Sequence, residues 1–279
     1  VESELDKPLR WKRPRKIFVN SMSDLFHEDV PDEFMEEVWA RMVVCDRHIF
    51  IILTKRPERM YKFLAAQDWN RVSKRVVKIE PFAAAKTLDR KKRGQRIFQN
   101  VWLGVSVENQ KTADDRIPPL LECPAAVRFV SYEPALGPVD LTNLSVQTHG
   151  GIEQWDALDK VDAGDAEPPA PDTVLDWVIA GGESGPGARP SHPDWFRQVR
   201  DDCQAAGVPF FFKQWGEWGE IHPTFGENLG GLMRRGTVRI VKAVGENNGR
   251  LEKDDVFMRR VGKKGTGDLL DGRQYHQFP

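Results

Sequence analysis

Six apolar runs in this chain stop at side chains that can do chemistry. Ile17 to Asn20 leads into Ser21-Met22-Ser23-Asp24-Leu25-Phe26-His27-Glu28-Asp29, and His48 to Thr54 into Lys55-Arg56-Pro57-Glu58-Arg59. Val101 to Val107 carries Ser106 and runs on to Glu108-Asn109, and Val127 to Tyr132 runs on to Glu133-Pro134. Trp177 to Ala180 is followed by Gly181-Gly182-Glu183-Ser184-Gly185-Pro186-Gly187-Ala188-Arg189, and Val208 to Phe212 by Lys213-Gln214-Trp215. Lys55 and Arg56, next to a helix start, suit a carboxylate or phosphate. His27 with Asp24 and Asp29 offers either a general base oriented by a carboxylate or ligands for a metal. The glycines at 181–187 would let backbone N–H groups approach a ligand while Glu183 grips a hydroxyl or amine, or they shape a tight turn. No G-x-S-x-G elbow accompanies the serines, which argues against nucleophilic hydrolysis, and neither a P-loop nor a dinucleotide fingerprint is present.

The elements that must position these groups follow from the alternation of short apolar runs with helix-like stretches, the pattern of β-α units around a parallel sheet. The runs are nearly continuous in apolar residues, as in strands covered on both faces. The clearest helix covers Asp32 to Val44, with Pro31 as a first-turn residue; others start near Pro57, near Thr112 and at Asp194, the last ending at Gly207. In such folds functional groups gather at the carboxyl ends of strands, so the six tips are expected to share one polar mouth. The competing explanation is an ion-pair network in which Asp24, Glu108, Glu133 and Glu183 pair with Lys55, Arg56 and Lys213 and seal that end.

Two insertions, near residues 66–99 and 142–176, interrupt the rhythm. Arg71 to Arg96 holds ten Lys or Arg against two acids and contains Arg90-Lys91-Lys92-Arg93, a solvated helix face or a phosphate-binding surface. Gln147 to Asp176 holds eight acids and one Lys, and with Pro168, Pro169 and Pro171 reads as a surface loop. The domain reading is residues 1–220 followed by a carboxyl-terminal extension at 221–279, with a β-like Thr237 to Val244. The whole chain of 279 residues carries 41 Lys and Arg against 42 Asp and Glu, which excludes a uniformly basic nucleic-acid coat. No apolar run approaches the ~20 residues of a membrane span, and the charged start has no secretory h-region, so a cytoplasmic protein is expected. Cys45, Cys123 and Cys203 form no C-x-x-C pair and read as buried apolar residues.

Taken in order, Phe18-Val19-Asn20-Ser21-Met22-Ser23-Asp24-Leu25-Phe26-His27, Leu53-Thr54-Lys55-Arg56-Pro57-Glu58-Arg59-Met60, Trp102 to Gln110, Ser131 to Pro138, Gly181 to Gly185, Phe211 to Gly216 and the closing Val261 to Arg273 resemble the phage-type gp-thirty-seven/gp-sixty-eight family, a domain of unknown function. The resemblance implies a radical S-adenosylmethionine-like enzyme on a partial (β/α) TIM-like barrel. Three cysteines ahead of the Asn-Ser-Met-Ser-Asp segment would hold a four-iron iron-sulfur cluster whose open iron binds S-adenosylmethionine. That cysteine motif is missing here. With Val1 at the start, the expectation is a piece lacking its first β-α unit and by itself inactive; the alternative is a non-catalytic nucleic-acid- or protein-binding barrel that has lost the cluster. The resemblance implies Ser106, Glu108, Glu133, Gly181, Gly182 and Glu183 as cofactor-binding residues and Lys55, Arg56 and Lys213 as candidates for a carboxylate or phosphate on cofactor or substrate; with the residue reading above, the expected catalytic residues are Asp24, His27, Lys55 and Lys213 and the substrate-binding ones Arg56, Arg189 and Gln214. The partners expected are nucleic acid, through Arg71 to Arg96 and Arg10 to Lys16, or another protein, with no membrane. A further expectation from the residues is a metal held by Asp24, His27 and Glu108 for hydrolysis.

Overall fold

A continuous apolar run leaves no side for water, so a strand built from one must be covered on both faces, and a parallel sheet under helices provides that cover. The computed structural model describes residues 2–66, 69–80, 99–159, 174–222, 228–243 and 253–279. The six strands expected from the sequence are all present: β1 (Lys16–Val19), β2 (Ile49–Thr54), β3 (Val101–Val107), β4 (Val127–Tyr132), β7 (Trp177–Gly181) and β8 (Phe210–Gln214). They form one sheet in the order β1-β2-β3-β4-β7-β8, and β3 is buried along its whole length. The fold class is α/β, a six-stranded parallel sheet flanked by helices as in a partial β/α barrel. The chain divides into two compact units, residues 1–105 with 116–129, and residues 106–115 with 130–279.

In the first unit β1 and β2 pair in parallel with Ile17 opposite Phe50, and β2 and β3 with Ile52 opposite Leu103. Helix α3 (Asp32–Val44) buries Met35, Val38, Trp39, Met42 and Val43, a face set by helical spacing. Pro31 is its N-cap rather than a first-turn residue, because its ψ of 145° is still extended. The Trp39 ring lies 5.4 Å from Phe63 of α4 (Pro57–Ala66) and 6.3 Å from Phe26. Burying an aromatic of this kind contributes about 1.5–3 kcal/mol.

The first insertion contains α5 (Trp69–Ile79), whose Lys74 and Lys78 are exposed, as the solvated-face reading expects. Arg71 and Arg75 turn onto α3, where Glu36 is buried: Arg71 Nε lies 3.2 Å and Arg75 Nη2 2.8 Å from its carboxylate, and Arg75 also pairs with Glu37. At these two arginines the face is more than solvated, because Glu33, Glu36 and Glu37 of α3 pair with them, although Arg71 stays half exposed. Arg90-Lys91-Lys92-Arg93 lies outside the described residues.

In the second unit β7 and β8 pair in parallel with Ile179 opposite Phe211, and α7 (Pro193–Ala206) packs against them. His192 caps α7 by accepting from the Asp194 N–H, and Gly207 ends it at φ 69°, left-handed backbone that glycine adopts without strain. Helix α6 (Gln110–Leu121) connects β3 to β4. The acidic insertion is not simply a loop: β5 (Leu144–Thr148) and β6 (Gly151–Trp155) pair as an antiparallel hairpin, with alternate residues of β5 buried. Its prolines at 168, 169 and 171 lie outside the described residues. After β8 come β9 (Trp218–Ile221), α8 (Leu229–Arg234), β10 (Val238–Val241) and β11 (Val256–Arg260), with the antiparallel order β10-β11-β9. The final α9 (Lys263–Thr266) and the β12 (Leu269–Leu270) and β13 (Arg273–Gln274) ribbon lead to a tail that lies along β8: the Phe212 N–H donates to Tyr275 O, and His276 stacks on Phe211. Among the described residues no helix is long and apolar enough to cross a membrane.

Candidate functional site

In the first unit the tips of β1 and β2 meet through Asp24. Its carboxylate accepts from Thr54 Oγ1 at 2.8 Å, from the Phe26 N–H at 2.9 Å, from the Lys55 N–H at 3.1 Å and from Arg56 Nη1 at 3.1 Å. Burial works against ionisation and is the largest single influence, yet these donors together outweigh it and hold the carboxyl below its ordinary range. A carboxylate with this many donors orders the turn after β2; it has little basicity to offer a substrate.

His27 does not use Asp24 as its orienting carboxylate. Its Nδ1 accepts from the Asp29 N–H at 3.3 Å and sits 3.4 Å from the Asp29 carboxylate, while only its backbone N–H reaches Asp24, at the carbonyl. The two-residue spacing makes His27–Asp29 a local turn. Arg59 caps the Phe26 and Val30 carbonyls and lies 3.3 Å from Asp32. Among the described residues no group of three His, Cys, Asp or Glu side chains is disposed to hold a metal ion.

The second unit collects the remaining candidates. Glu133, directly after β4, accepts from Lys213 Nζ at 2.9 Å on one oxygen and from Gln214 Nε2 at 3.1 Å on the other. Gln214 also reaches Ser184 Oγ at 3.0 Å, so the ends of β4, β7 and β8 are laced by one polar chain. The Lys213 side chain is half exposed, at 51 %, and that of Glu133 is 18 % exposed. From the end of β3, Ser106 Oγ donates to Glu133 O at 3.3 Å, and the Glu108 carbonyl accepts from the Leu136 N–H at 2.8 Å.

Glu183 holds Arg189 through two 2.8 Å bonds from the guanidinium and one 2.7 Å bond from the backbone N–H. That pairing keeps the Glu183 carboxyl below its ordinary range, burial opposing it, and it raises Arg189, to which buried Glu108 adds. The structure therefore draws ion pairs at the tips: Asp24 with Arg56 and Glu133 with Lys213, which the network reading allows, and Glu183 with Arg189, a cation that reading did not include.

The glycines have a packing reason. A Cβ at Gly182 would overlap the Trp215 carbonyl, and one at Gly216 the Glu183 carbonyl, because the two loops cross backbone to backbone: the Gly182 N–H donates to Gln214 O and the Glu217 N–H to Glu183 O. At Gly181 a Cβ would stand 3.3 Å from the Glu133 carboxyl carbon. Sequence reasoning missed Ser184 as the partner of Gln214, and it missed Arg260 and Glu217, which hold the Gly185 carbonyl at 2.8 Å and its N–H at 3.2 Å. A separation of 75 residues leaves Arg260 no local signal.

The cysteines do not suit a cluster. All three are buried free thiols, and burial lifts Cys123 and Cys203 to about 12 and also raises Cys45, whereas a metal needs the thiolate. No curated protein and no solved structure matches the chain. The family described as "Protein of unknown function (DUF5131)" matches residues 1–279, so the chain belongs to that family.

Proposed function

We propose that the ends of β4, β7 and β8 bind a small zwitterionic ligand that carries an α-amino-acid group, S-adenosylmethionine being the first candidate. The observation that supports this most is the mixed-sign set around Glu133: one carboxylate, a half-exposed ammonium, an amide and a hydroxyl within one hydrogen-bonded chain. A wholly structural seal has no need of an exposed lysine, whereas an amino acid presents one ammonium and one carboxylate that complement Glu133 and Lys213. Glu133 would hold the ammonium, Lys213 the carboxylate, and Gln214 and Ser184 the ribose hydroxyls. Arg189, clamped by Glu183, would fix the loop that borders them. When bound, S-adenosylmethionine supplies a sulfonium with an activated carbon.

The redox chemistry implied by the phage-type resemblance needs a four-iron cluster, and Cys45, Cys123 and Cys203 do not fit one. What the polar chain around Glu133 supports is a ligand-binding β/α module, and in the basic stretch Arg71 and Arg75 are engaged by Glu36.

Calorimetric titration with S-adenosylmethionine and S-adenosylhomocysteine tests the reading. Saturable binding is expected, weakened at least about tenfold, or ~1.4 kcal/mol, by Glu133→Gln and by Lys213→Met. No heat and no thermal shift at millimolar ligand would remove it. Anaerobic reconstitution with iron and sulfide, followed by a search for cluster absorbance and reductive cofactor cleavage, separates binding from radical chemistry.

A further inference from the structure

Within the second unit the loop after β4, the start of α7 and the end of β10 enclose a cavity of about 390 Å³ that shares no lining residue with the polar chain at Glu133. Leu136 and Pro138 line it from the loop, Pro190 and Trp195 from α7 and the residues before it, and Arg239 and Lys242 from β10 and the residue after it. These segments are tied to one another, so the hollow is preformed. Trp195 Nε1 donates to the Ala243 carbonyl at 2.7 Å, and Ser191 Oγ to the Ala135 carbonyl at 2.7 Å. His192, whose Nδ1 accepts from the Asp194 N–H, sets its Nε2 2.8 Å from the Asp254 carbonyl. With its N–H engaged, the Trp195 indole has only carbon to offer a ligand.

Both charged side chains of the lining are cations. Lys242 is 5 % exposed and faces Asp255, itself 3 % exposed, across 3.5 Å. Apolar residues of similar volume would pack at least as stably there as a buried ion pair, so packing alone does not call for a lysine in the wall. Lys242 and Asp255 balance each other, and the net positive charge comes from Arg239, which is exposed and whose guanidinium lies 5.2 Å from the centroid of the Trp218 ring. Flat apolar walls with a positive end match a planar organic anion. A bare phosphate would leave Leu136, the two prolines and Trp195 unused.

We propose that this cavity is a second ligand site, for a small aromatic carboxylate whose ring lies among Leu136, Pro138, Pro190 and Trp195 and whose carboxylate is held by Arg239 beside Lys242. The probe is 2-naphthoate, titrated calorimetrically into the full chain, with 2-naphthamide as the uncharged isostere and inorganic phosphate as the anion without a ring. Saturable binding of 2-naphthoate is expected, about tenfold or more tighter than that of the amide, and weakened about tenfold or more by Arg239→Gln and by Ala243→Leu, which fills the cavity. Thermal melts check that both variants fold, and the amide decides the matter on the unaltered chain. Absence of binding at millimolar 2-naphthoate, equal affinity for the amide, phosphate bound as tightly, or affinity unchanged in folded Arg239→Gln would each overturn the proposal. So would affinity lost in Lys213→Met, which would place the anion at Glu133 instead.

Discussion

Asp24 shows how one side chain can look catalytic in sequence and act as a fastener in space. It stands among Ser, His and cationic neighbours, yet Thr54, Arg56 and two backbone N–H groups take up its oxygens. Asp24→Asn keeps the shape but turns an acceptor into a donor facing those N–H groups, and is expected to cost about 1–3 kcal/mol. The sign of the pH effect follows from a native pKa held low: the stabilisation is complete above the unfolded value of about 3.9 and is lost as pH falls through the native value. Urea midpoints of the two proteins from pH 6 to pH 2 should therefore converge at the acid end; a constant gap would show that the charge is irrelevant. That Asp24 and Thr54 would meet was partly legible, since both end neighbouring strands. The direction of His27 was not, because an imidazole two residues from a carboxylate closes its own turn.

At the scale of elements, α5 carries the lesson of the basic insertion. Ten cations in a run look like a surface for an anion, but a helix is judged by what it packs on, and α3 offers Glu33, Glu36 and Glu37 to Arg71 and Arg75. Glu36 is almost fully enclosed, but Arg71 keeps Glu33 and Arg75 keeps Glu37, so Glu36→Ala is expected to cost about 1–3 kcal/mol in urea unfolding. A loss under 1 kcal/mol would mean that the arginines find water instead. Strands were legible because apolar runs bounded by polar tips have few other solutions. The β5–β6 hairpin was not, because its turn signal at Gly150-Gly151 sits inside an acidic, proline-containing stretch that resembles a loop.

Over the whole molecule, the three thiols report on integrity. Each is enclosed and disinclined to ionise, so none is expected to react with a disulfide reagent in native buffer within minutes, and all three should react in concentrated urea. A native thiol that titrates at once would contradict the packing described for it. The parallel order of the sheet could be read from the β-α rhythm, whereas the antiparallel β10-β11-β9 ribbon and the tail on β8 depend on pairings between distant segments that no local pattern announces. The crossing of Gly182 and Gly216 has a consequence for how this chain can change. Each position excludes a methyl group because of the other segment's main chain, so drift cannot sample them one at a time. A library randomised at either codon should return glycine alone, and diversity at this spot has to come from altering the length of one of the two loops.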